Sequence, residues 1–272
     1  MSKQKKKELV DNGNIAVFHS KTKVTITYIL IIVIGLYIAS AFYTEAYPNL
    51  IIAGMPVVID FVIYDFFPPN LKYISTVLKA LIETWNMALL STTLSVIIAL
   101  PISFLAAANI NKNKVFYQIV RFLLNIIRTI PELILAVLLV AFMGIGIISG
   151  IGALFIFSLG ILAKLVSETI EAIDPNPLEA IRATGANTIQ VIRYAVIPQI
   201  LPQYTSYALY VLEINVRASV ILGFVGAGGI GIILKQQTSL FNYGNVSTII
   251  LMTFIAVTII DFVSSRVRER LL

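Results

Sequence analysis

Residues 176–202 read Asn176-Pro-Leu-Glu179-Ala-Ile-Arg182-Ala-Thr-Gly185-Ala-Asn187-Thr-Ile-Gln-Val-Ile-Arg193-Tyr-Ala-Val-Ile-Pro198-Gln-Ile-Leu-Pro202. This is the one long polar-patterned stretch inside a chain otherwise built of apolar runs. Asn176 can cap the first backbone donors of a helix, Pro177 suits its first position, and Glu179 falls where a capping-box carboxylate reaches back. Gly185 then ends that helix, because glycine enters the left-handed region without steric cost. Asn187 or Thr188 can cap a second short helix, which runs until Pro198 removes a donor and clashes with the preceding turn. The pattern predicts two short helices hinged at a glycine.

The surroundings of this stretch decide the class. The 272-residue chain is 58% hydrophobic and 12% charged, with a net charge of +6. That balance is far from a soluble average and reads as an integral membrane protein. Its basic residues cluster at the ends of apolar runs, where they set topology, so nucleic acid is not an expected partner and membrane lipid is. There are no cysteines, which excludes disulfides, thiolate metal sites and cysteine nucleophiles.

Val24 to Tyr43 carries no charge and approaches the roughly 20 apolar residues a spanning helix needs. Ala39-Ser40-Ala41 resembles a signal-peptidase site, but the apolar run is longer than a signal core of about 7–15 residues, so an uncleaved anchor is expected. Leu50 to Ile59 is too short to span, contains Pro56 and leads into Asp60, Asp65 and several aromatics. An amphipathic helix on the outer interface fits it. Further spans are expected at Thr84 to Asn111, from Val115 through Arg121, Arg128 and Glu132 to Met143, and on to about Ile170 after Gly144, Gly146, Gly150 and Gly152. A fifth and a sixth follow the polar stretch, at about Tyr204 to Phe224 and Ser247 to Val263.

Counting basic residues near the span ends gives the orientation. With both termini inside, the inner segments hold the lysines before Val24, Lys112, Lys114, Arg182, Arg193, Arg266, Arg268 and Arg270. The outer segments hold Lys72, Lys79 and Lys235. Treating Leu50 to Phe67 as a seventh crossing would expel one basic terminus. The expected architecture is therefore all-α and polytopic, with six transmembrane helices and both termini cytoplasmic. Its parts are an inner tail at 1–23, a first span at 24–43, an extracytoplasmic segment at 44–80 and a five-helix domain at 81–272. The polar loop at 171–203 falls on the cytoplasmic side.

Gly226-Ala-Gly228-Gly229-Ile-Gly231 matches the dinucleotide pattern G-x-G-x-x-G, but no strand precedes it and no acid lies about 20 residues on. Close helix packing or an outer turn explains these glycines better. No G-x-x-x-x-G-K-[ST] occurs, so any ATP coupling needs a second protein. His19 stands alone in the N-terminal tail and offers neither a metal site nor a triad.

Ionisable residues within spans are costly and mark functional candidates. They come here as Arg128 with Glu132, Lys164 with Glu168, and Glu213 with Arg217. Each pair is spaced four apart, so the two side chains share a helix face and can neutralise one another. They either line a polar translocation path or cement the bundle beside it, and Arg217 is the candidate cation for substrate. The polar loop likewise has two readings. It could lie on the inner leaflet through Leu178, Ile181, Ile189, Ile192 and Val196, but surface-lying helices are usually rich in lysine and this one offers Arg182 and Arg193 against Glu179. Spaced apolar anchors with few charges suit the groove of a protein partner.

Glu179-Ala180-Ile181, Gly185 and Ala195-Val196-Ile197-Pro198 resemble the cytoplasmic coupling loop of ABC-importer permeases, Glu-Ala-Ala, Gly, then Ile-x-Leu-Pro. The departures, Ile181, Ala195 and Ile197, are apolar exchanges that touch fine packing. The segments Arg128-Thr-Ile-Pro-Glu-Leu, Tyr210-Val-Leu-Glu-Ile-Asn-Val-Arg217 and Gly223-Phe-Val-Gly-Ala-Gly-Gly-Ile-Gly231 narrow the resemblance to phosphonate-importer permeases, from about Glu83 to Leu271. The resemblance implies a type I importer fold and a homodimeric, non-catalytic permease without a cofactor of its own. It also implies two cytoplasmic ATPase subunits that bind ATP and Mg, and an extracytoplasmic phosphonate-binding protein. Glu179, Ala180, Arg182, Gly185, Ile197 and Pro198 would contact the ATPase. The competing expectation is an ion-coupled secondary transporter using Glu168 and Glu213.

Overall fold

The computed structural model describes residues 20–271, and the chain divides into two units, Met1–Val62 and Ile63–Leu272. Most of the expected inner tail, with His19, lies outside the described residues. In the first unit α1 runs Ser20–Tyr43 and α2 runs Pro48–Asp60, with a proline in its first turn and Pro56 inside. The apolar side chains of α1 are exposed all round, as suits a helix whose solvent is lipid.

After a π-helical segment at Phe61–Phe66, the second unit has a 3₁₀ turn, Leu71–Tyr73, where the Asn70 side chain accepts from the Lys72 N–H at 3.1 Å. It continues directly into α3, Ile74–Leu105. This helix starts well before Thr84, crossing the expected segment boundary at residue 80 and carrying Lys79 and Glu83 on its first turns. Asn113 caps α4, Lys114–Thr129, accepting from the Val115 and Phe116 N–H groups at 3.2 Å each. Then follow α5 (Glu132–Met143), α6 (Ile147–Ala172), α7 (Pro175–Ala183), α8 (Thr188–Val191) and, after a π-turn at Ile192–Val196, α9 (Ile197–Leu222). Two more helices close the chain, α10 (Ile230–Ser239) and α11 (Tyr243–Leu271). The outer turn expected at Gly226 to Gly231 ends at Gly229, and Gly231 already lies inside α10.

Among the described residues five stretches are long and apolar enough to cross a membrane: Val24–Tyr43, Leu71–Leu105, Ile147–Ala172, Thr188–Val225 and Tyr243–Arg270. The third expected span, from Val115 to Met143, departs from expectation. It is a pair of helices, α4 and α5, bent by 90°. Pro131 explains the break: its ring pushes Ile130 to φ −83°, ψ 119°, outside the helical region, so α4 stops at Thr129.

The centre of the bundle is α3, α6 and α9. Small residues line their contacts, with Ala99, Ala106, Ala163 and Val211 in one cluster and Ala136, Ala153, Ala218 and Ala227 in another. Small side chains let helices approach closely where lipid offers no hydrophobic drive. Asn215 ties all three together. It is fully buried, its Nδ2 donates to Thr92 Oγ1 at 2.8 Å, and Ser158 donates to its Oδ1 at 2.9 Å. Asn215→Leu keeps the branched heavy-atom shape and removes both bonds, at about 1 kcal/mol on the scale measured for polar contacts between membrane helices. Thermal unfolding in detergent should register a lower midpoint, and an unchanged one would refute this clasp.

Candidate functional site

The polar loop is a built surface. Asp174, rather than Asn176, is the N-cap of α7: its Oδ1 accepts from the Asn176 N–H at 3.0 Å, and Pro175 occupies the first turn. Asp-Pro-Asn-Pro offers two equivalent starts, and Gln199 favours the first by accepting from the Asp174 N–H at 3.2 Å while donating to the Ala195 carbonyl at 2.8 Å. Glu179 therefore closes no capping box and stands exposed. Gly185 has φ +84° directly after the end of α7. Asn187 and Gln190 form a reciprocal capping box for α8, at 2.9 and 2.8 Å.

The second short helix does not stop at Pro198. Because Pro198 has no N–H, the hydrogen-bond frame slips by one residue, Ile197 N–H bonds to the Ile192 carbonyl, and the chain continues into α9. The underside of the loop, Leu178, Val191, Ala195, Val196 and Ile200, is buried against Ala107 and Ile110 beyond α3 and against Val166 and Ile170 of α6. Its outer side presents Glu179, Ala180, Arg182, Gly185 and Pro198 exposed, with Ile197 half-buried. A shallow pocket of about 370 Å³, lined by Ile181, Thr184, Gly185, Gln190 and Tyr194, opens there. A firmly seated underside and an outer face with exposed Ile189 and Tyr194 among few charges suit docking to a folded protein.

Directly above lies a latch that the sequence did not reveal. Glu171 at the end of α6 takes Arg121 of α4 through two hydrogen bonds of 3.2 Å each, and accepts from the Ala108 N–H at 2.9 Å. Tyr117 also bonds Arg121. Asn109 donates to the Ile170 carbonyl at 2.6 Å. A bidentate Arg–carboxylate pair is stronger and more directional than a single contact, so the middle of α4 is fixed to the ends of α3 and α6. Arg121 was visible as a charge inside an apolar run, but nothing local pointed to Glu171.

The three expected charge pairs fare differently. Lys164 and Glu168 form an ion pair at 3.1 Å. Glu213 pairs with Arg217 and, at 3.1 Å, with Arg268 of α11, which the sequence reading had counted as a flanking charge. Glu213 is 7% exposed and Arg217 52%, so the carboxylate is the buried partner and Arg217 keeps a free side. Arg128 and Glu132 do not pair, because the break at Pro131 puts them on separate helices. Glu132 occupies the first turn of α5, where a carboxylate complements the helix dipole. Among the described residues Arg128 reaches no carboxylate, and an arginine at mid-bilayer costs about 2.5–3.5 kcal/mol on insertion scales.

The glycines make a packed turn between α9 and α10. Gly226, Gly228 and Gly229 have φ of +85°, +92° and +71°. A Cβ on Gly231 would overlap the Val220 carbonyl oxygen and come within 2.8 Å of the Gly223 Cα. The Gly229 N–H donates to Glu83 Oε1 at 2.8 Å, and the Ile230 N–H to Thr84 Oγ1 at 2.8 Å. In a dinucleotide site such donors meet phosphate; here a carboxylate and a hydroxyl from α3 occupy them. Among the described residues no group of three His, Cys, Asp or Glu gathers to hold a metal.

Comparison with known proteins agrees with this geometry. Residues 99–271 match the family described as binding-protein-dependent transport system inner membrane component. A phosphite transport system permease protein of Stutzerimonas stutzeri is 38% identical over 202 residues, 74% of each chain. The phosphate-import permease protein of Mycolicibacterium smegmatis is 38% identical over 205 residues, 75% of this chain and 38% of that one. Among solved structures, an inward-facing MetNI methionine ABC transporter superposes with a TM-score of 0.68 at 28% identity, covering 75% of this chain and 99% of that chain. The chain belongs to the binding-protein-dependent transport system inner membrane component family, the permease subunits of ABC importers.

Proposed function

We propose that the chain is the membrane-spanning subunit of an ATP-driven importer of phosphorus oxyanions, phosphonates foremost. The observation that carries the ATP coupling is the loop at 171–203, an exposed face on a buried footing at the ends of α3 and α6. The names of the relatives, phosphite and phosphate permeases, carry the class of phosphorus oxyanions, and the resemblance of Tyr210 to Arg217 and Gly223 to Gly231 to phosphonate-importer permeases carries the choice among them. The lysine and arginine count supports an orientation with both termini cytoplasmic, and the loop then meets the compartment that holds ATP. Two copies of the chain work with two ATPase subunits, which bind ATP and Mg, and with an extracytoplasmic phosphonate-binding protein. Glu179, Ala180, Arg182, Gly185, Ile197 and Pro198 contact the ATPase. Closure of the ATPase pair moves the loops as rigid bodies and exchanges inward-facing for outward-facing access.

Lys164, Glu168, Glu213 and Arg217 border the path, and their mutual neutralisation keeps solute binding weak enough for release. The same pairing weighs against an ion-coupled transporter, because Glu168 and Glu213 are already engaged by cations. The test is co-purification with the ATPase, then uptake of methylphosphonate into liposomes with and without internal ATP and with the binding protein outside. Uptake that requires ATP is expected. Uptake that follows an ion gradient and ignores ATP would sink the reading.

A further inference from the structure

Arg128 occupies the last turn of α4, where the chain bends by 90° into α5. Its backbone nitrogen lies 3.5 Å from the position that a Cβ on Gly160 would take. Gly160 is at the middle of α6, Ile147–Ala172, a helix long enough to cross the bilayer alone. Arg128 therefore lies near mid-depth. From there the side chain falls well short of the ~15 Å to either interface, so snorkelling cannot recover its hydration.

The neighbouring cations are compensated, Arg121 by Glu171, Lys164 by Glu168 and Arg217 by Glu213. Arg128 is exposed, and among the described residues its side chain has neither an ion pair nor a hydrogen bond. It also ends a polar stripe: Gln118, Arg121, Asn125 and Arg128 recur at helical spacing along one face of an otherwise apolar α4, with Gln118 and Asn125 exposed as well. Hydrocarbon does not accept such a face, so it borders water or a second protein.

We infer that Arg128 is an anion-contact residue midway along the translocation path, its guanidinium taking two oxygens of a passing tetrahedral phosphorus oxyanion. This rests on the importer reading above. The guanidinium is permanently charged, and its planar fork matches paired oxygens. Mid-depth rules out a lipid headgroup as the ligand. A second copy brings a second Arg128 to the same depth, and two like charges there are stable only with water or an anion between them.

The chain has no cysteine, so Arg128→Cys carries the sole thiol of the permease. In the complex with ATPase and binding protein, an impermeant thiosulfonate is expected to label residue 128, and methylphosphonate uptake is expected to fall at least tenfold. A cationic adduct should restore uptake and an anionic one should not. Absence of labelling, as a carboxylate supplied by the second copy would cause, overturns the proposal; so does equal rescue by a neutral adduct. If the cysteine chain does not assemble, Arg128→Lys decides: a raised KM for methylphosphonate supports the contact and an unchanged KM refutes it. Absence of methylphosphonate uptake by the unaltered complex defeats the importer reading, and labelling at 128 separates that failure from failure of the path.

Discussion

Replacing Glu179 with lysine is expected to cut ATP-driven uptake at least tenfold and to leave the permease as stable as before. The two halves of that result come from one observation. Glu179 is exposed and has no hydrogen bond or ion pair within the described chain. Surface substitutions of that kind alter stability by about 0.5 kcal/mol or less. On the proposed coupling role its partner is on the ATPase, and reversing a charge at the centre of a docking face costs about 1.4 kcal/mol or more, which is tenfold in affinity. Co-purification of the ATPase and the thermal midpoint of the isolated permease separate the two effects. Normal uptake with normal assembly would show that the loop is not the coupling surface. Gly185→Ala is the companion test: no atom crowds the site, so it acts only through the φ of +84°, at about 1–2 kcal/mol.

The largest loss of stability is expected from Gly231→Ala, at about 3 kcal/mol, the upper end of overpacking costs. The methyl group would meet the Val220 carbonyl oxygen and the Gly223 Cα, both backbone, so no rotamer change relieves it. Gly223→Ala strikes the same contact from the other side, with its Cβ 2.6 Å from the Ile232 nitrogen. The two substitutions together should cost less than their sum, since each already forces α9 and α10 apart. Gly54→Ala, inside α2 with nothing within 4 Å, is the uncrowded control and should not lower the midpoint. Thermal unfolding in detergent reads all four chains, and a Gly231→Ala midpoint equal to that of the control removes the close approach from the account.

What was legible in the sequence was local. Asn187 and Gly185 could be assigned to a cap and a left-handed turn because each acts on backbone a few residues away. The break after α4 was equally local, since Ile130-Pro131 can hardly stay helical, but the length of the apolar run concealed it and led to a false Arg128–Glu132 pair. The cap of α7 went two residues astray because Asp-Pro-Asn-Pro satisfies the rule twice, and only Gln199, brought near by folding, chooses. The clasp at Asn215 and the latch at Arg121 and Glu171 join residues far apart in the chain. No periodicity announces such partners; each residue alone reads as an isolated polar group in an apolar run.

From Thr188 to Leu222 there is no glycine, and the π-turn joins α8 to α9 without interrupting the helix. The stretch is one continuous helical run roughly 50 Å long, at about 1.5 Å per residue, so a tilt of only about 10° about one end displaces the other by roughly 9 Å. A small rotation on one side of the membrane is thus amplified geometrically on the other, and Pro198, Pro202 and the π-turn mark where the run can bend.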